Sequence, residues 1–181
     1  MHYRMANIDD LDALSSLHAI SWRATYRGIF CDDYLENEVW DERKSYWQKR
    51  LSAPKNNQYV LIAIENQQIC AFICALGNES KKWGTFIENL HVAKSAQGKG
   101  IGKQLIYLVA NWADELFHHK GIYLEVLEDN LSARRFYQSI GAKHQETSLW
   151  LPPGSDKQVK DFLYIWESNL PLLQLKSSLS T

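Results

Sequence analysis

Cysteine is scarce in this chain, and its spacing suggests neither a metal site nor a disulfide. The 181 residues include three cysteines and six histidines. They lack the close pairs that zinc sites require, so we expect no metal. Cys70 and Cys74 fall on one predicted strand, where four residues span roughly 13 Å, beyond the reach of a disulfide. We therefore expect buried free thiols.

Charge of one sign and long apolar runs are also lacking. Lys and Arg number 20 against 21 for Asp and Glu, a net charge of -1, so no overall field favours nucleic acid or an anionic membrane. No stretch approaches the roughly 20 apolar residues of a membrane helix, and "MHYRMANIDD" lacks the apolar core of a signal peptide. We expect a cytoplasmic protein without nucleic-acid or membrane partners, in which any anion site is local.

What the sequence does contain is a succession of strand and helix patterns, in a chain long enough for one core. Helical spacing of apolar residues marks four segments, at residues 8–26, 40–51, 103–117 and 132–140. Strand-like patterns mark seven more, at residues 3–5, 59–65, 69–77, 83–92, 121–128, 142–151 and 160–167. The strand, loop, helix and strand between residues 86 and 126 predict a crossover that joins parallel strands. We expect one domain over residues 1–168, followed by a tail, 169–181, that docks in part.

The loop "SAQGKGIGKQL" lies between a predicted strand and a predicted helix. It does not fit a dinucleotide-binding fingerprint, because the third glycine would fall at Lys103, and it does not fit the spacing of a P-loop. What remains is Gln97-x-x-Gly100-x-Gly102. Glycines allow backbone amides to approach a ligand, and a helix start carries partial positive charge. We expect a pyrophosphate here, with the alternative that the turn only begins a helix.

A second pattern, "VLEDNLSARRFYQSIGAK", follows about 30 residues later and contains Asn130, Ala133 and Tyr137. With the glycine loop, it resembles the GNAT superfamily of N-acetyltransferases, which use acetyl-coenzyme A (acetyl-CoA). The segment "SWRATYRGIFCDDYL" is similar to the first helix of a bacterial subgroup with S-W-x-x-x-Y-x-G-I. The resemblance implies an α+β fold with a twisted, mostly antiparallel sheet of six or seven strands and about four helices. It also implies a splayed parallel pair of strands at residues 86–92 and 122–127.

The resemblance also implies which residues would bind the coenzyme. The pantetheine arm would pair with the backbone of the first splayed strand, and a backbone N–H near Leu90 would polarise the thioester. Pyrophosphate would lie at the glycine loop, and the next helix would reach the cofactor through its first turns. The implied residues are Leu90, His91, Val92, Gln97, Gly98, Lys99, Gly100, Ile101, Gly102, Lys103, Asn130, Ala133, Arg134 and Tyr137. The alternative interpretation of Arg134 is that its charge lies in solvent on the surface of the helix and does not contact the coenzyme.

Two residues are candidates for acid–base catalysis. Tyr137 matches the tyrosine that stands beside the cofactor sulfur in many superfamily members, where it would protonate the leaving thiolate; its alternative is packing beside Phe136. Glu88 is the candidate base for the acceptor amine. It lies two positions before Leu90, so strand alternation places both on one face. Its alternative is a charge paired elsewhere on the sheet.

The acceptor pocket is expected between the first two helices and the loop before the last strand. Its candidate residues are Trp22, Tyr26, Tyr34, Trp40 and Glu88. The expected function is transfer of an acetyl group to a primary amine of a small molecule or peptide, by direct attack in a ternary complex. An acetyl-cysteine route is not expected, because Cys70 and Cys74 are predicted to be remote from the cofactor. The alternatives are a coenzyme-A-binding module without turnover and a protein N-terminal or lysine acetyltransferase, in a monomer or homodimer.

Overall fold

A computed structural model of the protein describes residues 1–118 and 120–175. A seven-stranded sheet has the order β1-β2-β3-β4-β5-β7-β6. Its strands are β1 His2–Met5, β2 Gln58–Glu65, β3 Gln68–Ser80, β4 Gly84–Val92, β5 Ile122–Leu127, β6 Lys143–Trp150 and β7 Val159–Trp166. The helices are α1 Leu11–Thr25, α2 Val39–Ser52, α3 Ile101–Phe117, α4 Leu131–Ser139 and the short α5 Leu170–Leu173. Every strand and helix that the sequence predicts is present, and the expected fold class is confirmed.

Two hydrophobic layers cover the sheet. Leu105, Ile106 and Val109 of α3 pack on one side, which we call the α3 face. Leu14 and Leu17 of α1 and Trp47 of α2 pack on the other, the α1/α2 face. Leu172 of α5 is buried in the core on the α3 face, and residues 176–181 of the predicted tail lie outside the described part of the chain. No described helix is both long enough and apolar enough to cross a bilayer.

The centre of the sheet contains its parallel pair, as predicted. α3 connects β4 to β5, and the two strands pair from Thr85–Ile87 to Ile122–Leu124. Beyond these residues both strands continue, to Val92 and Leu127, but the ladder between them ends. The gap exposes one backbone edge of β4, which is the splayed geometry expected from the family resemblance.

A β-bulge in β4 corrects one expectation. Cys74 is the register partner of Asn89 while Ala75 pairs with Ile87, so Glu88 is the extra residue. A bulge interrupts the alternation of side chains. The Glu88 and Asn89 side chains both bond Tyr46 of α2, whereas Leu90 packs on the α3 face. The prediction that Glu88 and Leu90 share a face is therefore wrong.

Candidate active site

A groove of about 1630 Å³ runs along the gap between β4 and β5. Two regions of its lining are named here. The glycine end comprises residues 97–103, apart from Lys99, and residues 130–133; the aromatic end comprises Trp22, Tyr26, Phe30, Tyr46, Phe86 and Trp150. A single channel thus joins the start of α3 to a cleft under α1 and α2.

The glycine end is shaped by backbone that only glycine adopts without strain. Gly98 and Gly100 have φ of 79° and 77°, in the left-handed region, and Gly100 caps α3. A Cβ on Gly102 would lie 3.3 Å from Phe136 Cζ, so this glycine permits α3 and α4 to approach closely. The first amides of a helix have no intrahelical acceptor. The first amides of α3 face the groove, where they can donate hydrogen bonds to an anion such as a diphosphate.

The side chains of this loop differ from expectation. The Gln97 amide donates to the Val92 carbonyl at 3.2 Å, which ties the loop to the end of β4 instead of leaving that amide free for a phosphate. The Lys99 side chain forms an ion pair with Glu65 at 2.8 Å and is outside the described lining of the groove. Its predicted place at the ligand stays a prediction, which the backbone amide and not the ammonium group would have to fulfil. Lys103 does line the groove, together with Lys94, which sequence reasoning missed.

The start of α4 forms the other wall of the glycine end. Asn130 caps the helix, its side-chain oxygen accepting from the Ala133 N–H at 3.2 Å, and both residues line the groove. Arg134 turns away, because it donates to the Glu128 carbonyl at 2.7 Å and lies 4.6 Å from the centre of the Phe162 ring. The predicted contact of Arg134 with phosphates stays a prediction. The alternative of a solvated charge does not fit, because the Arg134 side chain is half-buried.

Tyr137 lies in the groove lining, as expected for a residue that acts on a bound ligand. It is only 8% exposed, and its ring meets Trp166 edge-on at 6.2 Å. Burial, and next the neighbouring Tyr26, raise the pKa of the Tyr137 hydroxyl above its usual value. The phenol is thus protonated at neutral pH and available as a proton donor, while its ring also packs in the core.

Glu88 lines the groove but has partners on both oxygens. Oε2 accepts from the Tyr46 hydroxyl at 2.7 Å, and Oε1 bonds the Arg50 guanidinium. Cys74 Sγ lies 3.6 Å from Oε2, so the expectation that Cys74 is remote from the cleft is wrong. The thiol is fully buried, and burial followed by the charge of Glu88 raises its pKa. Cys74 therefore stays a thiol and is a poor nucleophile.

Two of the four predicted aromatic residues line the groove, Trp22 and Tyr26. Tyr34 is instead buried, with its hydroxyl donating to Glu42 at 3.0 Å. Trp40 lies 5.5 Å from the Arg23 guanidinium. Neither Tyr34 nor Trp40 belongs to the described lining of the groove, so their role as pocket walls stays a prediction that the groove does not support.

The chain was compared with known proteins. The profile of the acetyltransferase (GNAT) family matches residues 15–142. The chain belongs to the GNAT family. Streptothricin acetyltransferase A of Bacillus subtilis is 32% identical over 124 residues, 61% of this chain and 66% of that protein. A probable spermine N(1)-acetyltransferase of B. subtilis subsp. natto is 33% identical over 63 residues, 35% of this chain and 41% of that protein. Both alignments thus span less than two thirds of the relative.

Solved structures show the same GNAT fold. PaiA N-acetyltransferase from Thermoplasma acidophilum, in complex with coenzyme A, superposes with a TM-score of 0.75 at 20% identity, covering 92% of this chain and 98% of that one. Arabidopsis thaliana NAA60, in complex with a bisubstrate analogue, gives 0.67 at 20% identity, over 91% and 96%. At this identity the likeness establishes the fold alone.

Several groups of this GNAT chain at the aromatic end were missed from the sequence. Arg43, only 7% exposed, lies 4.0 Å from the Trp22 ring and 4.7 Å from the Tyr46 ring, with Glu42 as its ion partner. The spacing of Arg43, Tyr46 and Arg50, three and four residues apart, places them on one face of α2. That spacing was the available signal.

Sequence reasoning placed His91 at the site as a coenzyme-binding residue, but it missed the contact of His91 with His18 and two carboxylates. His91 Nδ1 and Ser21 Oγ are 2.7 Å apart, and the His91 and His18 rings are 4.5 Å apart between centres. Glu125 of β5 and Asp161 of β7 also line the groove. No sequence motif contains either carboxylate. Within residues 1–118 and 120–175, no three His, Cys, Asp or Glu side chains form a group that could hold a metal.

Proposed function

We propose that this protein transfers the acetyl group of acetyl-CoA to a primary amine of a small, cationic molecule, by direct attack while both substrates are bound. One observation carries the proposal: a single groove joins the start of α3, through the gap between β4 and β5, to the aromatic end. A donor that lies along this gap would present its reactive group to an acceptor under α1 and α2.

The backbone would bind the donor. Amides of residues 98–103 would hold its diphosphate, with Lys103 adding charge. The exposed edge of β4 offers hydrogen bonds to the pantetheine arm, as a further strand would. A backbone N–H near Leu90 would polarise the thioester carbonyl, and one such donor contributes about 3 kcal/mol to stabilising the transition state. Relatives that share the fold are crystallised with coenzyme A or acetyl-CoA.

Tyr137 would supply the proton for the leaving group. The acceptor nitrogen attacks the acetyl carbon, the carbon–sulfur bond breaks, and the sulfur leaves with the electron pair of that bond. A thiol has a pKa near 8.5 and a phenol a pKa near 10, and burial raises the pKa of Tyr137 further. This proton transfer therefore costs free energy by itself and has to be coupled to breaking of the carbon–sulfur bond. Tyr137 lines the groove, and its phenol is protonated at neutral pH.

The aromatic end favours a cationic acceptor. Trp22, Tyr26 and Phe30 present ring faces or edges to the cleft, and Glu125 and Asp161 add negative charge. Aromatic faces and carboxylates both attract ammonium groups. Relatives named for streptothricin and for spermine agree with a small amine, and we prefer it to a protein N-terminus or lysine.

The test measures coenzyme A release from acetyl-CoA with spermine, streptothricin, amino acids and N-terminal peptides as acceptors. We expect release with at least one of the small cationic amines and none without an acceptor. Release with peptides alone would favour protein acetylation. Calorimetric binding of coenzyme A without release for any acceptor would favour a binding module, and absence of binding would refute the proposed site.

A further inference from the structure

The proposed function leaves open which group takes the proton from the acceptor's ammonium. An alkyl amine has a pKa near 10 and is mostly protonated at pH 7, so it cannot attack before it loses a proton. Carboxylates and a histidine line the groove on the acceptor side and are the candidates for this proton acceptor. They are Glu88, His91, Glu125 and Asp161.

Glu88 and His91 are poorly arranged for this step. Both oxygens of Glu88 are occupied, by Arg50 and by Tyr46, so accepting a proton would break an ion pair in a half-buried site. His91 is engaged with Ser21. Burial, and then the positive charge of Arg43, lower the pKa of His91 to about 3. Neither group is therefore ready to accept a proton at neutral pH.

Asp161 has the opposite surroundings. It is the register partner of Leu127 at the end of β5, and Leu127 packs with Ala19 and Val39 on the α1/α2 side. Asp161 therefore faces the cleft at the open end of the strand pair. Its Oδ1 is buried and has no hydrogen-bond partner within the described part of the chain. A buried carboxylate oxygen without a donor is energetically costly, and an ammonium group would supply that donor.

The surroundings of Asp161 place its pKa in a range suited to proton exchange near neutral pH. Burial, and next the charge of Glu125 on β5, raise its pKa to about 6, while the Phe162 backbone N–H lowers it. At the end of α1, burial, and next the charge of Asp161, raise the pKa of Tyr26 to about 12. Arg43 of α2 acts on Tyr26 in the opposite direction. Tyr26 in turn neighbours Tyr137, so the carboxylate lies near the candidate acid.

We propose that Asp161, and not Glu88, accepts the proton of the acceptor ammonium, and that Glu125 helps to hold that cation. This rests on the proposed function. The acceptor nitrogen loses two protons in all. Asp161 takes the first and releases it to solvent; the second leaves as the carbon–nitrogen bond forms, and replaces the proton that Tyr137 gives to sulfur.

The test compares two isosteric variants, Asp161→Asn and Glu88→Gln, with spermine or the best amine of the acceptor panel. At saturating acetyl-CoA, kcat/KM is measured from pH 5 to 9. We expect wild-type kcat/KM to rise through a pH near 6. Asp161→Asn should lower kcat/KM at pH 7 by about 100-fold and abolish that rise, while Glu88→Gln should keep it. Equal profiles for wild type and Asp161→Asn, or loss of the rise in Glu88→Gln, would overturn the proposal.

A third variant keeps the test decisive if Asp161→Asn does not fold. Because the charge of Glu125 raises the pKa of Asp161, Glu125→Gln should move the rise in kcat/KM to lower pH, and an unmoved rise would count against Asp161. Coenzyme A affinity, measured by calorimetry, should be the same in all variants. Wild-type protein that acetylates no amine would refute the proposed function itself; wild-type turnover with unaffected Asp161→Asn turnover would refute only the role of Asp161.

Discussion

The glycine end of the groove consists mainly of backbone, whereas the aromatic end consists of side chains from distant elements. At the glycine end, Gly98, Gly100 and the first turn of α3 come from one short stretch. At the aromatic end, Trp22, Tyr46 and Asp161 come from α1, α2 and β7. The first kind of site leaves a local sequence pattern, and the second depends on which elements the fold brings together.

The largest expected effect concerns Tyr137 on α4, the proposed general acid. Replacing Tyr137 with Phe removes the hydroxyl and keeps the ring against Trp166. We expect kcat to fall by about 100-fold, the lower range for a general acid, with the KM for acetyl-CoA unchanged. Steady-state kinetics measures both constants. Unreduced kcat would show that Tyr137 only packs.

The next prediction uses two tryptophans that both pack on arginine. Trp22 lines the groove and lies 4.0 Å from Arg43, whereas Trp40 lies 5.5 Å from Arg23 outside the described lining. Trp22→Ala should raise the acceptor KM about tenfold, because it removes a ring wall of the proposed acceptor site and the aromatic partner of the Arg43 guanidinium, a contact that contributes about 1–2 kcal/mol in a desolvated site. Trp40→Ala should leave that KM within about twofold. Equal effects would mean that the aromatic end does not bind the acceptor.

A matched pair of lysines tests the glycine end. Lys103 lines the groove, and Lys99 is paired with Glu65. Lys103→Ala should weaken coenzyme A binding about fivefold, the loss expected for one partly exposed charge near phosphate, or about 1 kcal/mol. Lys99→Ala should change it by less than about twofold. Calorimetry at low salt measures the coenzyme A affinity of both variants. A larger loss of affinity in Lys99→Ala than in Lys103→Ala would contradict the placement of the diphosphate beside Lys103.

The sequence predicts locally encoded features better than features that depend on contacts between distant elements. The seven strands and the four longer helices could be predicted, because each carries its own hydrophobic period and turn residues, whereas the short α5 could not. The splayed pair and Tyr137 followed from the family resemblance. The bulge at Glu88 could not be predicted, since it depends on register against β3.

The side chains of Lys99 and Arg134 have partners that the sequence did not predict, for one reason. Both are long cations beside the glycine end, and each finds a nearer partner, Glu65 for the first and the Glu128 carbonyl with the Phe162 ring for the second. Motif position predicts where a backbone lies. It does not predict which way a flexible side chain turns.

The smallest expected effect concerns stability. The pKa of Asp161 is raised from 3.8 to about 6 in the folded protein, so its contribution to stability is fully present below pH 3.8 and is lost as the pH rises through 6. Asp161→Asn avoids that loss. At pH 7.5 it should be more stable than wild type by about 1 kcal/mol after screening, or about 2–4 °C in Tm. At pH 4 the difference should nearly vanish. Thermal melts at both pH values measure it, and a variant less stable at pH 7.5 would show that Asp161 has a stabilising partner.

The central claim is that one groove holds donor and acceptor together. Initial-rate kinetics with acetyl-CoA and the accepted amine, each varied at several fixed concentrations of the other, tests it most directly. A ternary complex predicts double-reciprocal lines that intersect. Parallel lines would indicate a covalent acetyl-enzyme and would contradict the account.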